Sequence, residues 1–382
     1  TMLRAAAKNY KWTLPVINPK RYDELIDILK KNDCTVPLKY RSVLAGEVFS
    51  FTAYYDSLIA DYLNKYNQVD IPEKVTIPIN KEIDLRYGEN PHQKAALLGN
   101  FSSLFTKFHG KELSYNNIID INAAVQLILE FDEPTCAIIK HTNPCGVASA
   151  NNLTDAYNRA FETDTVSPFG GIICFNRKVD FDTAVAFHDI FTELIIAPDF
   201  SNDALDLLKK KKDRRLILTD FDKVKEALVN DIRSVAGGFL IQEHDFPLFD
   251  ESNMKLVTQR KPTPLEMRAL LFAWKICKHV KSNAIVYTNH ERTLGIGAGQ
   301  MSRVDSSRIA VEKAKLMGMN LNGSVVASDA FFPFADGLIE AAEAGAVAVI
   351  QPGGSVRDNE VIAEADRRNI AMVFTGMRHF RH

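Results

Sequence analysis

The chain has 382 residues, 46% of them hydrophobic and 25% charged, with a formal net charge of −2. That length supports two or three domains around a sizeable core, and the charge balance offers no basic excess for nucleic acid. No run of about 18 apolar residues exists to span a membrane and no secretory signal is visible, while five scattered cysteines (Cys34, Cys136, Cys145, Cys174 and Cys277) read as reduced thiols of a cytoplasmic protein.

Residues 1–70 read as mostly helical. Tyr22, Leu25, Ile26 and Leu29 recur at helical spacing, as do Leu44, Val48, Phe51, Tyr55, Ile59 and Leu63. The opening residues have no run-in and look like the middle of a longer protein. A linker with Pro72 and Pro78 follows over 68–82. From Leu85 strand and helix patterns alternate. The apolar spacing predicts a helix over 117–131, then strands over 136–139, 171–175 and within 192–198. Residues 201–260 read as a helical connection around a strand at 216–218, with the basic run 209–212 as a solvated helix end. Thr263, Pro264 and Glu266 form a capping-box start for the next helix. Further strands are expected at 284–288, 324–327, 346–350 and 371–374, with helices over 337–344 and 359–368. The alternation predicts an α/β fold with largely parallel sheets, in regions 83–200 and 261–382, and no sequence repeat is visible.

Chemistry concentrates in a few segments. The apolar run 137–139 ends in Lys140-His141 and then Thr-Asn-Pro-Cys-Gly, a turn-forming sequence. Adjacent side chains in a strand point to opposite faces, so the pair can share one substrate only if the strand stops there and the turn swings them together. Strand ends are where ligand sites collect in α/β folds. Like charges side by side disfavour double protonation, and a neutral imidazole is a competent general base. For an isolated pair, a surface lysine beside a capping histidine is the simpler reading; Cys145 in the same turn reads as a small turn residue rather than a nucleophile.

The segment 85–93 (LRYGENPHQ) holds Arg86, Tyr87, His92 and Gln93, ligands suited to a phosphate or polar ring, in what is otherwise a loop. In 167–171 (SPFGG), glycines permit close backbone approach and Phe169 offers a cover for a flat ring; a tight turn over a buried phenylalanine fits equally. The run 295–300 (GIGAGQ) with Ser302 and Arg303 resembles a phosphate loop, although its glycine spacing is not the dinucleotide fingerprint. The stretch 328–336 (SDAFFPFAD) suggests an apolar slot with Asp329 and Asp336 as polar anchors. A charged, aromatic C-terminus such as 378–382 (RHFRH) is ordinarily frayed.

Taken together, MLRAAAKN, LRYGENPHQ, IIKHTNPCG, SNAIVY, GIGAGQMSR, SDAFFPF and the terminal RHF resemble one family across the whole chain. That family is the bifunctional purine-biosynthesis enzyme joining AICAR transformylase to IMP cyclohydrolase. The resemblance implies formyl transfer from 10-formyltetrahydrofolate to the amine of aminoimidazole carboxamide ribonucleotide (AICAR). That amine is a weak nucleophile, because its lone pair is delocalised; it needs a base against it and a donor on the formyl oxygen. By position, the resemblance makes His141 the base, Lys140 the proton donor and charge partner, and Asn283 the amide on the formyl oxygen. It places Arg86, Tyr87, His92, Asn117, Ser167, Phe169, Gly170, Glu193, Arg303, Arg378 and Phe380 in the nucleotide pocket. Glu193 stands where some members have Asp, which keeps the charge and lengthens the reach. Gln300, Phe331, Phe334 and Asp336 fall on the folate side, and Asp329 near a potassium site.

The resemblance also implies two subdomains like cytidine deaminase in an intertwined homodimer with shared active sites, without zinc. Pro144-Cys145 has Ala148 where the deaminase signature needs its second cysteine. Only the last part of a cyclohydrolase domain is represented, over residues 1–67, with Lys8 matching a lysine of that site. The chain alone is therefore expected to close no rings. The segment between Arg303 and Ser328 is short where some relatives carry a helical insertion. Two other readings stand beside the formyltransferase: a metal-dependent nucleotide deaminase, which needs a zinc ligand set, and a non-catalytic nucleotide-binding or dimerisation module, which would be indifferent to Lys140 and His141.

Overall fold

The computed structural model describes residues 1–382, the side chain of Glu251 apart. The chain divides into two compact units, Thr1–Ile83 with Leu97–Asn100, and Asp84–Ala96 with Phe101–His382. The first is helical, with α1 (Met2–Lys8), α2 (Tyr22–Lys31) and the long α3 (Leu38–Tyr66). Ala7 packs on Ala45 and Val48, small residues that let α1 lie close on α3. Arg21 ties α2 to α3 through Glu24 and Glu47. Lys8, in the last turn of α1, is exposed. Strands β1 (Lys81–Leu85) and β2 (Ala95–Leu98) pair as a ribbon whose connecting loop holds Arg86, Tyr87 and His92.

The second unit is built on two six-stranded sheets. A short helix α4 (Phe101–Leu104) leads into β3 (Phe105–His109), followed by α5 (Tyr115–Ile128), β4 (Thr135–Lys140), β5 (Asn143–Ser149), α6 (Leu153–Glu162), β6 (Ile172–Phe175), α7 (Phe181–His188), β7 (Leu194–Ala197), α8 (Asn202–Leu208) and β8 (Arg215–Thr219). The first sheet runs β3-β8-β7-β6-β4-β5. Then come α9 (Phe221–Ala227), an exposed ribbon of β9 (Asn230–Val235) and β10 (Gly238–Glu243), and β11 (Lys255–Leu256). The remaining elements are α10 (Pro264–Cys277), β12 (Ile285–Thr288), β13 (Thr293–Gly297), α11 (Arg303–Leu316), β14 (Val325–Ser328), α12 (Asp336–Glu343), β15 (Ala348–Gln351), α13 (Asp358–Arg367) and β16 (Ala371–Phe374). The second sheet runs β11-β16-β15-β14-β12-β13.

Each sheet repeats one plan. A hairpin edge, β4–β5 or β12–β13, meets an antiparallel neighbour, β6 or β14. That neighbour begins a parallel run, β6–β7–β8 or β14–β15–β16, closed by an antiparallel edge strand, β3 or β11. The sheets are therefore mixed rather than largely parallel as the alternation predicts. The fold repeats although the sequence does not, because topology is held by which positions are buried rather than by residue identity. Residues 201–260 differ from a helical connection: β8 belongs to the first sheet, β11 to the second, and β9–β10 is a strand ribbon.

The sequence explains these elements locally. In β4 five of six residues are buried; Ala137 and Ile139 face one core while Cys136 and Ile138 face another. A strand covered on both faces reads as a continuous apolar run rather than an alternation. Helix α5 starts on a Ser114–Asn117 capping box and α10 on Thr263–Glu266 with Pro264 at its first position. These two helices share the central core, where the rings of Phe131 and Phe272 lie 5.4 Å apart. At the junction of the hairpin edges, the Thr293 hydroxyl is bonded to Val147 N and O, and Thr163 Oγ1 donates to Thr293 O at 2.8 Å.

Candidate active site

Lys140 is the last residue of β4, and His141 and Thr142 form the two-residue turn to β5, with φ of 51° and 63°. Two consecutive positive φ values in a two-residue hairpin are those of a type I′ turn, which ordinarily takes Asn-Gly. A histidine and a β-branched threonine there are strained, and such strain persists only where the surroundings hold it. The turn carries His141 off the strand path. Both Lys140 and His141 thus open on one cavity of about 330 Å³, also lined by Asn143, Cys145, Asp164, Ser167, Gln300 and Lys313. Lys140 Nζ donates to Phe169 O at 2.9 Å, tying the pair to the SPFGG loop.

Two carboxylates hold these loops. Asp120, on α5, accepts the Thr142 N–H at 2.7 Å, and the His141 main-chain N–H also faces it. Burial pushes the Asp120 carboxyl up from its ordinary range, only partly opposed by those hydrogen bonds and by His141. Asp164 accepts from Ser167 N at 2.8 Å and Ser167 Oγ at 2.5 Å, and from Lys313 Nζ at 3.1 Å. Burial would raise its carboxyl, but the Ser167 and Lys313 bonds outweigh this and hold it below the usual range. Neither carboxylate nor Lys313 is singled out by the sequence. The only signal for Asp120 is its place three residues after Asn117, on one helix edge.

Outside the lining of that cavity, Asn117 Nδ2 donates to Glu193 Oε2 at 2.9 Å, and the Arg215 guanidinium lies 3.6 Å from the same oxygen. Gly170, with φ of 75°, and the half-open Phe169–Phe191 pair, 5.0 Å apart, shape the SPFGG loop. Phe169 is 63% exposed, so it is not the buried phenylalanine of a tight turn. Asn116 Nδ2 reaches Glu89 O at 3.4 Å, setting the loop of Arg86, Tyr87 and His92 by the start of α5. Phe380 stacks under Arg378 at 4.7 Å and near Arg303 at 5.9 Å.

The C-terminus is not frayed. His379 N donates to Asp329 O, its ring nitrogens meet Asp245 Oδ2 at 2.7 Å and Leu248 O at 2.9 Å, and Arg381 Nη2 donates to Gln126 Oε1 on α5 at 2.8 Å. Arg381 also donates to His279 Nδ1, while His279 Nε2 and Lys278 Nζ both reach Glu130 Oε1 at 2.9 and 2.8 Å. Burial holds the His279 imidazole down to about 4, and Arg381 on its acceptor nitrogen reinforces the neutral form. For Glu130, burial would raise the carboxyl, but His279 and Lys278 lower it to about 2.

The phosphate-loop reading of GIGAGQ gives way to packing. Gly295 and Gly297 are strand residues of β13, and a Cβ at Gly297 would lie 1.8 Å from Ser306 O of α11. Arg303 does not back an anion cradle either: it bonds Ser328 Oγ and pairs with the fully buried Asp329 at 3.0 Å. Asn283 directs its amide protons to Gln300 O and Met301 O, so in this arrangement they are not free for a formyl oxygen. Nor do Asp329 and Asp336 frame one slot. Asp336 accepts from Gly337 N at the start of α12, Phe332 is core, and Phe334 is exposed under Arg357. Of the sequence-predicted site residues, the cavity is lined by Lys140, His141, Ser167 and Gln300 and by none of the others. The Cys145 thiol is pushed up to about 12 by burial and is no nucleophile at neutral pH. Among the described residues no group of three or more His, Cys, Asp or Glu could hold a metal ion, and no helix is long and apolar enough to cross a membrane.

Comparison with known proteins identifies the family. A family model described as AICARFT/IMPCHase bienzyme matches residues 6–313. The chain is 56% identical over 384 residues to the bifunctional purine biosynthesis protein PurH of Chloroflexus aurantiacus, covering all of this chain and 74% of that protein. It is 52% identical over 393 residues to the same-named protein of Chlorobaculum parvum and 51% over 395 residues to that of Chlorobium phaeobacteroides, covering all of this chain and 75% of each. With that identity over its whole length, the chain belongs to the AICARFT/IMPCHase bienzyme family.

Proposed function

We propose that the chain is a phosphoribosylaminoimidazolecarboxamide formyltransferase of IMP biosynthesis, using 10-formyltetrahydrofolate as co-substrate. The observation that carries this reading is the Lys140–His141 hairpin tip opening on a cavity beside Ser167 and Gln300. The AICAR amine attacks the formyl carbon, His141 takes the proton released from the amine, and the bond from carbon to the folate N10 breaks. Lys140 supplies the positive charge for the developing anion and the proton N10 needs on leaving. Asn283 acts on the formyl oxygen only after its amide turns from the Gln300 and Met301 carbonyls. The nucleotide is held by Arg86, Tyr87, His92, Asn117, Ser167, Phe169, Gly170, Glu193, Arg378 and Phe380, with Arg303 reaching it only through the N–H groups that Ser328 and Asp329 leave, and the folate by Gln300, Phe331, Phe334 and Asp336.

Several of these residues do not line the cavity of their own chain, which supports a homodimer with shared active sites. Residues 1–67 with Lys8 represent cyclohydrolase sequence, 68–82 a linker, and 83–200 and 261–382 the bulk of the transformylase subdomains, which take β8 and β11 from the joining segment 201–260. Five unpaired cysteines fit the cytoplasm. Potassium fits poorly at Asp329: one buried oxygen, Oδ2, lacks a partner, but the Arg303 guanidinium already matches the charge, so no step is routed through the ion.

The test is turnover with 10-formyltetrahydrofolate and AICAR, following tetrahydrofolate. Each of His141→Ala and Lys140→Ala is expected to lose at least about a hundredfold. A folded parent that binds AICAR without turnover, or variants that keep parental rates, would overturn the assignment.

A further inference from the structure

We propose that Asp120 is a positioning residue for His141. The inference rests on the reading of His141 as the base. The turn His141–Thr142 is held in the left-handed region at both positions, without a glycine or asparagine to ease it. Left-handed backbone is unfavourable for L-residues, and more so for a β-branched one. Relaxation to the ordinary β or α region would swing the imidazole away from the Lys140 side of the cavity. Asp120 opposes that relaxation: its carboxylate accepts the Thr142 N–H at 2.7 Å and is faced by the His141 N–H, so it grips both peptide groups of the turn.

Asp120 is itself fixed. It stands on α5, whose Ile121, Ala124 and Val125 are core residues, and whose Asn117, one turn earlier, is bonded to Glu193. A rigid helix thus sets the nucleotide-facing Asn117 and the catalytic turn from a single edge. Among the described residues, no other hydrogen bond explains the half-buried carboxylate of Asp120.

The experiment is steady-state kinetics of the full chain with AICAR and 10-formyltetrahydrofolate for the parent, Asp120→Ala, Asp120→Asn, His141→Ala and the double variant Asp120→Ala/His141→Ala. Misplacing a catalytic group by about 1 Å costs up to about a hundredfold. Asp120→Ala is therefore expected to lower kcat at least about tenfold with KM for AICAR within about twofold. Asparagine keeps the acceptor oxygen and should recover kcat to within about threefold of the parent. The double variant should be no slower than His141→Ala, because Asp120 acts through His141. Adding Thr142→Gly to Asp120→Ala, which removes the strain at one turn position, should restore part of kcat.

If Asp120→Ala fails to fold, Asp120→Glu is read instead. Its longer side chain displaces the turn, and the same loss of kcat at constant KM is expected. Parental kcat in the folded alanine or glutamate variant would overturn the proposal. So would a rise in KM alone, or a further loss in the double variant as large as that of Asp120→Ala by itself. His141→Ala at the parental rate would instead overturn the reading of the base, whatever Asp120 does.

Discussion

Lowering the pH from 7 to 5 should weaken the fold by about 2 kcal/mol through His279 alone. The imidazole is 5% exposed, receives Arg381 on Nδ1 and donates through Nε2 to Glu130. Its folded value of about 4 lies below the ordinary 6.5. Between those values the unfolded chain binds a proton that the folded chain refuses. The contribution is therefore whole above pH 6.5, declines as pH falls, and is gone below 4. At about 1.36 kcal/mol per unit the full loss is about 3 kcal/mol, of which about 2 has accrued by pH 5. Glu130 does not confuse this window. Its carboxyl, held at about 2 against 4.5, loses stabilisation mainly below pH 4.5 and has given up little of it at pH 5. The assay is urea unfolding at pH 7 and pH 5 for the parent and His279→Gln, which keeps an amide donor for Glu130 and does not titrate. Other histidines titrate alike in both proteins and cancel in the difference. The variant should lose about 2 kcal/mol less than the parent over this interval. Equal losses in the two proteins would refute the buried neutral imidazole.

Three further outcomes are expected. Gly297→Ala and Gly146→Ala place a Cβ 1.8 Å from Ser306 O and 1.9 Å from Ala160 O, so each should lower Tm by at least about 5 °C, while Gly238→Ala, with nothing within 4 Å, should move it by less than about 2 °C. Iodoacetamide at pH 8 should modify the exposed Cys34 and spare Cys145, and Cys145→Ala should retain turnover within about threefold; intact mass and the formyl-transfer assay read both. Arg303→Met strands the buried Asp329 carboxylate and should cost about 3–5 kcal/mol in urea unfolding, whereas Asp329→Asn/Arg303→Met should recover much of that.

The strands that were legible in the sequence are those covered on both faces. Residues 136–139 and 371–374 show as apolar runs between turn residues, and the structure places strands there. The two capping-box helices were legible in part: Thr263–Glu266 stands out because Pro264 marks it, whereas Ser114–Asn117 has no such neighbour. Strands β5 and β13 were hidden by their own composition. Asn143, Pro144 and Gly146 look like a turn, and Gly295 and Gly297 like a loop, yet the glycines are there because α6 and α11 lie against the strand backbone. The exposed ribbon β9–β10 buries too little to impose a pattern. At the site, Lys140 and His141 were legible from the abrupt end of an apolar run. Asp120 was not, because a carboxylate that grips main-chain N–H groups carries no motif beyond its helix position.

The tail contact between Arg381 and Gln126 spans 255 residues, and the Val147–Thr293 bond spans 146. Closures of that length are the slowest to form, since the chain gives up its freedom before such contacts reward it. The helices and hairpins of each half can assemble from near neighbours, but Arg378 and Phe380 reach their places only when those closures are made. During refolding, ellipticity should therefore return before turnover does.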